Sequence, residues 1–280
     1  MEGKRIQESM IEPYRIALLH AEKSAATVEK YLRSVRRFVA DHAGRTIDKA
    51  LVLAYKTKLG ETYTPSSANA ALAAVNGFLR YWGLTEDCVK PFKVQKKVYC
   101  PEEKELRREE YVRLVNAAKE TNSERMAMVL ESICATGIRV SELPYITVES
   151  VMQGEAVVSC KGKTRTVFLP AALQKQLRRY IRREHLESGS VFVTRTGKPM
   201  NRSNIWREMK GLCKRAHVLP SKVFPHSLRK LFARMFYRID HDVAKLADIL
   251  GHSNINTTRI YIMDSGAEHR RQMDSMHLVI

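Results

Sequence analysis

The sequence predicts a mainly α-helical protein carrying one small antiparallel β-sheet, an α+β chain in two parts. Three observations predict it. Apolar residues recur at helical spacing through the first third of the 280 residues and again after residue 170. Short β-branched runs, broken by glycines, are concentrated in residues 145–169. A polar stretch with two prolines, KPFKVQKKVYCPEEKE, interrupts the periodic pattern near residue 95.

Taken in order, residues 6–20 and 46–59 read as shorter helices. Between them, SAATVEKYLRSVRRFVADH opens on Ser24 as a cap, with Thr27 as a second choice. Val28, Tyr31, Leu32, Val35 and Phe38 form its apolar stripe, and Lys30, Arg33, Arg36 and Arg37 occupy the other faces. In TPSSANAALAAVNGFLRYWGL, Pro65 suits a helix start and Gly83 a stop, with Ala68, Leu72, Val75, Phe78, Leu79 and Trp82 along one side. The segment interrupted by Pro91 and Pro101 reads as a linker. The expected organisation is a helical domain over residues 1–95, a linker over 96–105 and a second domain over 106–280. In the second domain, helices are expected at 106–120, 123–136, 171–187, 201–216, 226–238 and 242–250. A small sheet is expected over 145–169, with a further short strand at SVFVT, 190–194.

Charge narrows the class of partner. There are 48 Lys+Arg against 30 Asp+Glu, a formal net charge of +18, while hydrophobic residues make up 44% of the chain. That describes a globular protein with a polyanionic partner, nucleic acid before an anionic membrane. The excess is spread: residues 1–97 hold 17 basic and 10 acidic side chains, residues 98–280 hold 31 and 20. Both parts are therefore expected to face the polyanion. Five cysteines with no CxxC pair argue against a disulfide framework or a zinc knuckle. No apolar stretch suits a signal peptide or a membrane span, so a cytoplasmic protein is expected.

Four segments put reactive groups where packing alone would not ask for them. In ATGIRVSEL, Gly137 permits a tight turn, and Arg139 and Glu142 stand at i, i+3 in the next helical start. In KGKTRTVFLP, Lys161, Lys163 and Arg165 cluster at a hairpin turn. In PHSLRKLFARMFYR, His226 and Arg229 share a face one turn apart, a pairing suited to a phosphate: the guanidinium binds two oxygens and the imidazole moves a proton. In ADILGHSNINTTRIYI, Gly251 ends a helix, His252 follows, and Tyr261 lies nine positions on, after a short helix starting near Ser253 or Asn254. Singly, each also has an ordinary explanation: a surface salt bridge, a solvated basic turn, a packed tyrosine.

Together and in this order the segments resemble the tyrosine recombinase (phage integrase) family. TGIRVSEL matches its T-G-hydrophobic-R-hydrophobic-S-E-L segment, SCKGKTR its lysine hairpin, His226-Ser227-Leu228-Arg229 its H-x-L-R, Leu250-Gly251-His252 its L-G-H, and Tyr261 its tyrosine. The chain departs from the pattern at Lys230 and Leu231, where His and Ser or Thr are usual, and at Ile262, where Thr or Ser is more frequent. None of these belongs to the family's catalytic set.

The resemblance implies a helical N-terminal core-binding domain, a tyrosine-recombinase catalytic domain and a site-specific recombinase of the two-domain kind. Such an enzyme would serve integration, excision or resolution of a DNA element. Tyr261 would attack a phosphodiester to give a 3′-phosphotyrosyl link and a free 5′-hydroxyl. Arg139 and Arg229 would neutralise the phosphoryl oxygens, His226 would act as base or phosphate ligand, and His252 would donate to the phosphate. Lys161 would protonate the leaving oxygen, its spacing before Gly162 fitting better than that of Lys163. Covalent capture conserves the bond energy, so neither cofactor nor metal is expected. The partners implied are double-stranded DNA and further copies of the chain, a tetramer on two sites. The apolar end formed by Met273, Met276, Leu278, Val279 and Ile280 would dock on a neighbour. Three rivals stand beside this reading: a type IB topoisomerase, which shares the catalytic residues but only reseals its own break, a non-catalytic DNA-binding regulator, which would need none of them aligned, and a metal nuclease built on His226, His241 and His252. The last has no accompanying acid.

Overall fold

A computed structural model of the chain describes residues 4–94, 103, 105–160, 162–262 and 266–276. The chain divides into two compact units, Met1–Lys96 and Lys97–Ile280.

The first unit is all helical: α1 (Ile11–His20), α2 (Ala25–His42), α3 (Lys49–Thr62) and α4 (Pro65–Tyr81). Each longer helix begins where a short polar side chain can accept an orphan backbone N–H. Ser24 Oγ accepts from Thr27 N at 3.4 Å, Asp48 Oδ1 from Leu51 N at 2.7 Å, and Thr64 caps α4 with Pro65 in its first turn. The stripes of α2 and α4 face each other: Leu32, Val35, Phe38, Leu72, Val75 and Phe78 are all buried.

The second unit is organised around α6 (Glu124–Thr136). Met126 to Leu130, Ser132, Ile133 and Thr136 are buried, so this helix is apolar nearly all round and occupies the centre of the core. Packed on it are α5 (Arg108–Glu120), α8 (Ala171–Arg183), α9 (Arg202–Leu212) and α10 (Pro225–Asp240). Then come α11 (Val243–Leu250), α12 (Ile255–Tyr261) and α13 (Gly266–Ser275).

The sheet is a single hairpin. β1 (Glu155–Cys160) runs antiparallel to β2 (Lys163–Phe168), with Cys160 opposite Lys163 and Val158 opposite Arg165. The pleat turns Ala156, Val158 and Val167 inward and leaves Val157 and Phe168 exposed.

Two expectations for this region are corrected. Residues 145–153 are not sheet: Val140–Tyr145 is a 3-10 helix and Val148–Gln153 a short helix, α7. Thr147 caps α7 through Ser150 N at 3.1 Å while Ser150 returns a contact to Thr147 N, and Gly154 ends it at φ 88°. This reciprocal cap, with Val148 and Val151 buried three residues apart, outweighs the β-branched composition. SVFVT forms no strand either. Among the described residues it makes only isolated bridges, Thr147 with Ser190 and Val193 with Pro199, because its backbone bonds go first to Ile146 and then to Lys198 and Met200, so no single partner runs beside it long enough for a ladder.

Candidate active site

The site is assembled at the C-terminal ends of two helices. Both α6 and α11 stop at a left-handed glycine, Gly137 at φ 64° and Gly251 at φ 62°. Neither position has room for a side chain: a Cβ on Gly137 would lie 2.5 Å from Phe232, and one on Gly251 2.7 Å from the Arg165 stem. Helix C-termini expose unpaired carbonyls and carry partial negative charge, so they attract cations.

Three arginines use three successive carbonyls of the α11 end. Arg165 donates from Nε to Ile249 O at 3.2 Å, Arg229 to Leu250 O, and Arg139 to Gly251 O at 2.8 Å. Arg229 also donates to Gly137 O at the end of α6, so one guanidinium joins both helix ends. It is 2% exposed, and its Nε has no hydrogen-bond partner among the described residues. Burial first, and Arg139 next, push its pKa down to about 10, which still leaves it charged at neutral pH.

Glu142 is the counter-charge. It is 1% exposed and accepts from Arg139 N at 2.9 Å, Arg139 Nη1 at 2.8 Å, and Arg165 Nη1 and Nη2 at 3.0 and 2.9 Å. Burial works to raise its pKa, but Arg165 and then Arg139 hold it below the usual carboxylate range. The Arg139–Glu142 pair is therefore a junction built on a buried carboxylate, with Arg139 itself partly open, and not the surface salt bridge its i, i+3 spacing also allowed.

Tyr261, at the end of α12, is 7% exposed, with its ring between two imidazoles. His226 and His252 each meet it edge to face, ring centres 4.8 Å away, and the Arg229 guanidinium carbon lies 6.0 Å from its ring centre. The Tyr261 hydroxyl is 3.3 Å from His226 Nδ1. Partial burial of the ring, followed by Lys230, Arg229, Arg202 and Arg139, pushes the His226 pKa down to about 4, although the residue as a whole is exposed.

His252 is fixed from both sides. Nδ1 lies 2.9 Å from Thr258 Oγ1 and Nε2 3.1 Å from Arg229 Nη2. A guanidinium only donates, so Nε2 accepts and the ring proton is on Nδ1, given to Thr258. Burial, then Arg229 and Arg139, hold its pKa near 4, in keeping with a neutral ring. In this arrangement the imidazole has no N–H left over for a phosphate.

The structure thus brings Arg139, His226, Arg229, His252 and Tyr261 together. Lys161 lies outside the described residues, and of Lys163 only the backbone position in β2 is described. His241 caps the far end of α10, and no cluster of three or more His, Cys, Asp or Glu suited to a metal occurs among the described residues. Two contributors escaped sequence reasoning. Thr258, fully buried, carried no signal apart from its position within α12. Arg165 was read as part of a solvated turn, yet its alternation with Val167 was the available sign that it faces inward.

No helix among the described residues is long and apolar enough to cross a membrane. Residues 104–268 match the phage integrase family. The tyrosine recombinase XerA of Thermococcus kodakarensis is 29% identical over 280 residues, spanning 96% of each chain. The XerD tyrosine recombinase of Staphylococcus saprophyticus is 34% identical over 171 residues, 58% of this chain and 57% of that one. In fold, the chain resembles a lambda integrase tetramer bound to a Holliday junction, with a TM-score of 0.76 at 16% identity, over 94% of this chain and 79% of that one. With a tyrosine held against one arginine and two histidines and the match covering more than half its length, the chain belongs to the phage integrase family and is a tyrosine-type site-specific DNA recombinase.

Proposed function

We propose that Tyr261 is the nucleophile of this recombinase, attacking a DNA phosphodiester to form a 3′-phosphotyrosyl bond and release a 5′-hydroxyl. The observation that carries this reading is the Tyr261 hydroxyl lying 3.3 Å from His226 Nδ1, with the Arg229 guanidinium beside the Tyr261 ring. His226 Nδ1 accepts the phenolic proton as the oxygen attacks phosphorus. The 5′-oxygen leaves with the bonding pair and takes a proton from Lys161 or Lys163 on the hairpin. Arg139 and Arg229 face the charge that accumulates on the nonbridging oxygens, where it is greatest in the pentavalent transition state. His252, with its proton on Thr258, holds the Arg229 fork in orientation. Resealing runs the same steps backwards, so the phosphotyrosyl bond supplies the energy without ATP or metal.

The first unit serves as the core-binding domain, and both units contribute basic surface to the duplex. The working assembly is a tetramer on two sites. The end of α13, where Met273 and Met276 are exposed, docks on a neighbouring copy; Leu278, Val279 and Ile280 of that apolar end lie outside the described residues. The protein acts in the cytoplasm.

The test uses nicked duplexes with randomised arms, incubated with the full chain in EDTA and then denatured in SDS. Wild-type protein is expected to yield an SDS-resistant protein–DNA adduct whose recovered DNA gives a preferred sequence. Tyr261→Phe is expected to yield none, and an adduct from that variant would overturn the assignment. Strand exchange between two selected duplexes, as opposed to relaxation of supercoils alone, separates recombination from topoisomerase action.

A further inference from the structure

Glu142 poses a problem for the site just described. A carboxylate 2.8 Å from Arg139 would cancel much of the charge that Arg139 is meant to present to a phosphate. Arg165 removes the difficulty. Its two terminal nitrogens engage both oxygens of Glu142 at 3.0 and 2.9 Å, the fork-to-fork geometry that draws most strongly on a carboxylate. Arg139 is left with one side-chain bond to that group and keeps a third of its side chain open, while the Arg165 side chain is 14% exposed. Two guanidiniums share one carboxylate, so the trio retains a full positive charge on the open side.

Arg165 also reaches the other half of the site. Its Nε bonds Ile249 O, and its stem packs against the bare Gly251 backbone, whose carbonyl holds Arg139 and whose next residue is His252. β2, the 3-10 helix bearing Glu142, and the end of α11 therefore meet on one side chain that itself takes no part in bond making.

We propose that Arg165 is a positioning residue for strand cleavage, which occupies Glu142 so that Arg139 remains an uncancelled cation and which holds the α11 carbonyls in register beneath it. This rests on the reading of Tyr261 and Arg139 given above. Its loss acts on the charge of the scissile phosphate, so it differs from a simple packing defect. A methylphosphonate at that position lacks one anionic oxygen and has correspondingly less need of an uncancelled Arg139.

The experiment measures single-turnover adduct formation on a selected nicked duplex with either phosphate or methylphosphonate at the scissile position. It compares wild type, Arg165→Met and Arg165→Lys, with DNA affinity and Tm measured alongside. On phosphate, Arg165→Met is expected to be slower by about ten- to a hundredfold, short of the roughly 10²–10³ for removing a transition-state donor outright. Arg165→Lys, which keeps the charge without the fork, is expected to fall between Arg165→Met and wild type. On methylphosphonate the deficit of Arg165→Met is expected to shrink several-fold. An equal deficit on both substrates, or wild-type rates in Arg165→Met, would overturn the proposal. If Arg165→Met does not fold, Arg165→Lys carries the same comparison. Tyr261→Phe in the same assay keeps a failure of the nucleophile assignment distinguishable from a failure of this one.

Discussion

Replacing Arg229 by Met separates what this side chain does for stability from what it does for rate. The substitution keeps an apolar stem and deletes a charge that is 2% exposed. In the folded protein it removes charge-assisted bonds to Gly137 O and Leu250 O and a contact to His252 Nε2. At about 1.5–3 kcal/mol each, the two carbonyl bonds amount to about 3–6 kcal/mol. Against this stands the cost of burying a guanidinium, several kcal/mol, here aggravated by an Nε with no hydrogen-bond partner among the described residues. The two nearly offset, so the expected net change is within about 2 kcal/mol. For a unit of this size that moves Tm by roughly 2–4 °C per kcal/mol. Nothing offsets the loss in the transition state, where removing such a donor costs on the order of 2.7–4 kcal/mol, a rate reduction of about 10²–10³. The assay pairs a calorimetric scan with single-turnover adduct formation on the nicked duplex. A variant that melts within several degrees of wild type yet cleaves at least about a hundredfold slower is the expected result. Cleavage within threefold of wild type would refute the placing of Arg229 at the phosphate. Failure to fold would show that joining α6 to α11 is its larger task, and Arg229→Lys would then separate charge from geometry.

Three further outcomes follow from the same contacts. His252 has its folded pKa depressed from the ordinary 6.5 to about 4, so its contribution to stability is complete above pH 6.5 and is lost as pH falls towards 4; Tm measured from pH 7.5 to 4.5 should fall on acidification, and His252→Gln should flatten that fall. Glu142→Ala should cost about 3–5 kcal/mol, because it leaves Arg165 and Arg139 without their buried counter-charge; urea unfolding of the variant against wild type measures it, and a loss under 1 kcal/mol would contradict the burial of that junction. Gly137→Ala should destabilise by about 1–3 kcal/mol and also slow cleavage, since a methyl at positive φ meets Phe232 and displaces the carbonyl that holds Arg229. Thermal melting and adduct rates check it together.

The sequence alone determined the class of the fold and most of the site's residue types. Helices announce themselves locally: the stripe from Val28 to Phe38 needs a partner surface whatever that surface is, and Ser24 or Thr64 can satisfy an N–H three residues on without help from elsewhere. Motifs spaced along one chain, from Arg139 to Tyr261, are likewise readable one segment at a time. Contacts between distant segments are not. Only the tertiary structure made three successive carbonyls at 249–251 the anchors of three arginines drawn from positions 139, 165 and 229. Only it turned Arg165 from a member of a basic turn into the partner of a buried carboxylate. It also fixed the His252 proton, because the choice depends on Arg229 lying on one side of the ring and Thr258 on the other. The short α7 helix shows the same limit from the opposite direction, since β-branched composition there yielded to a reciprocal cap and two buried valines. Periodicity and capping act over a few residues and can be read from the chain, whereas charge balance in a buried site depends on groups that meet only when the chain has folded.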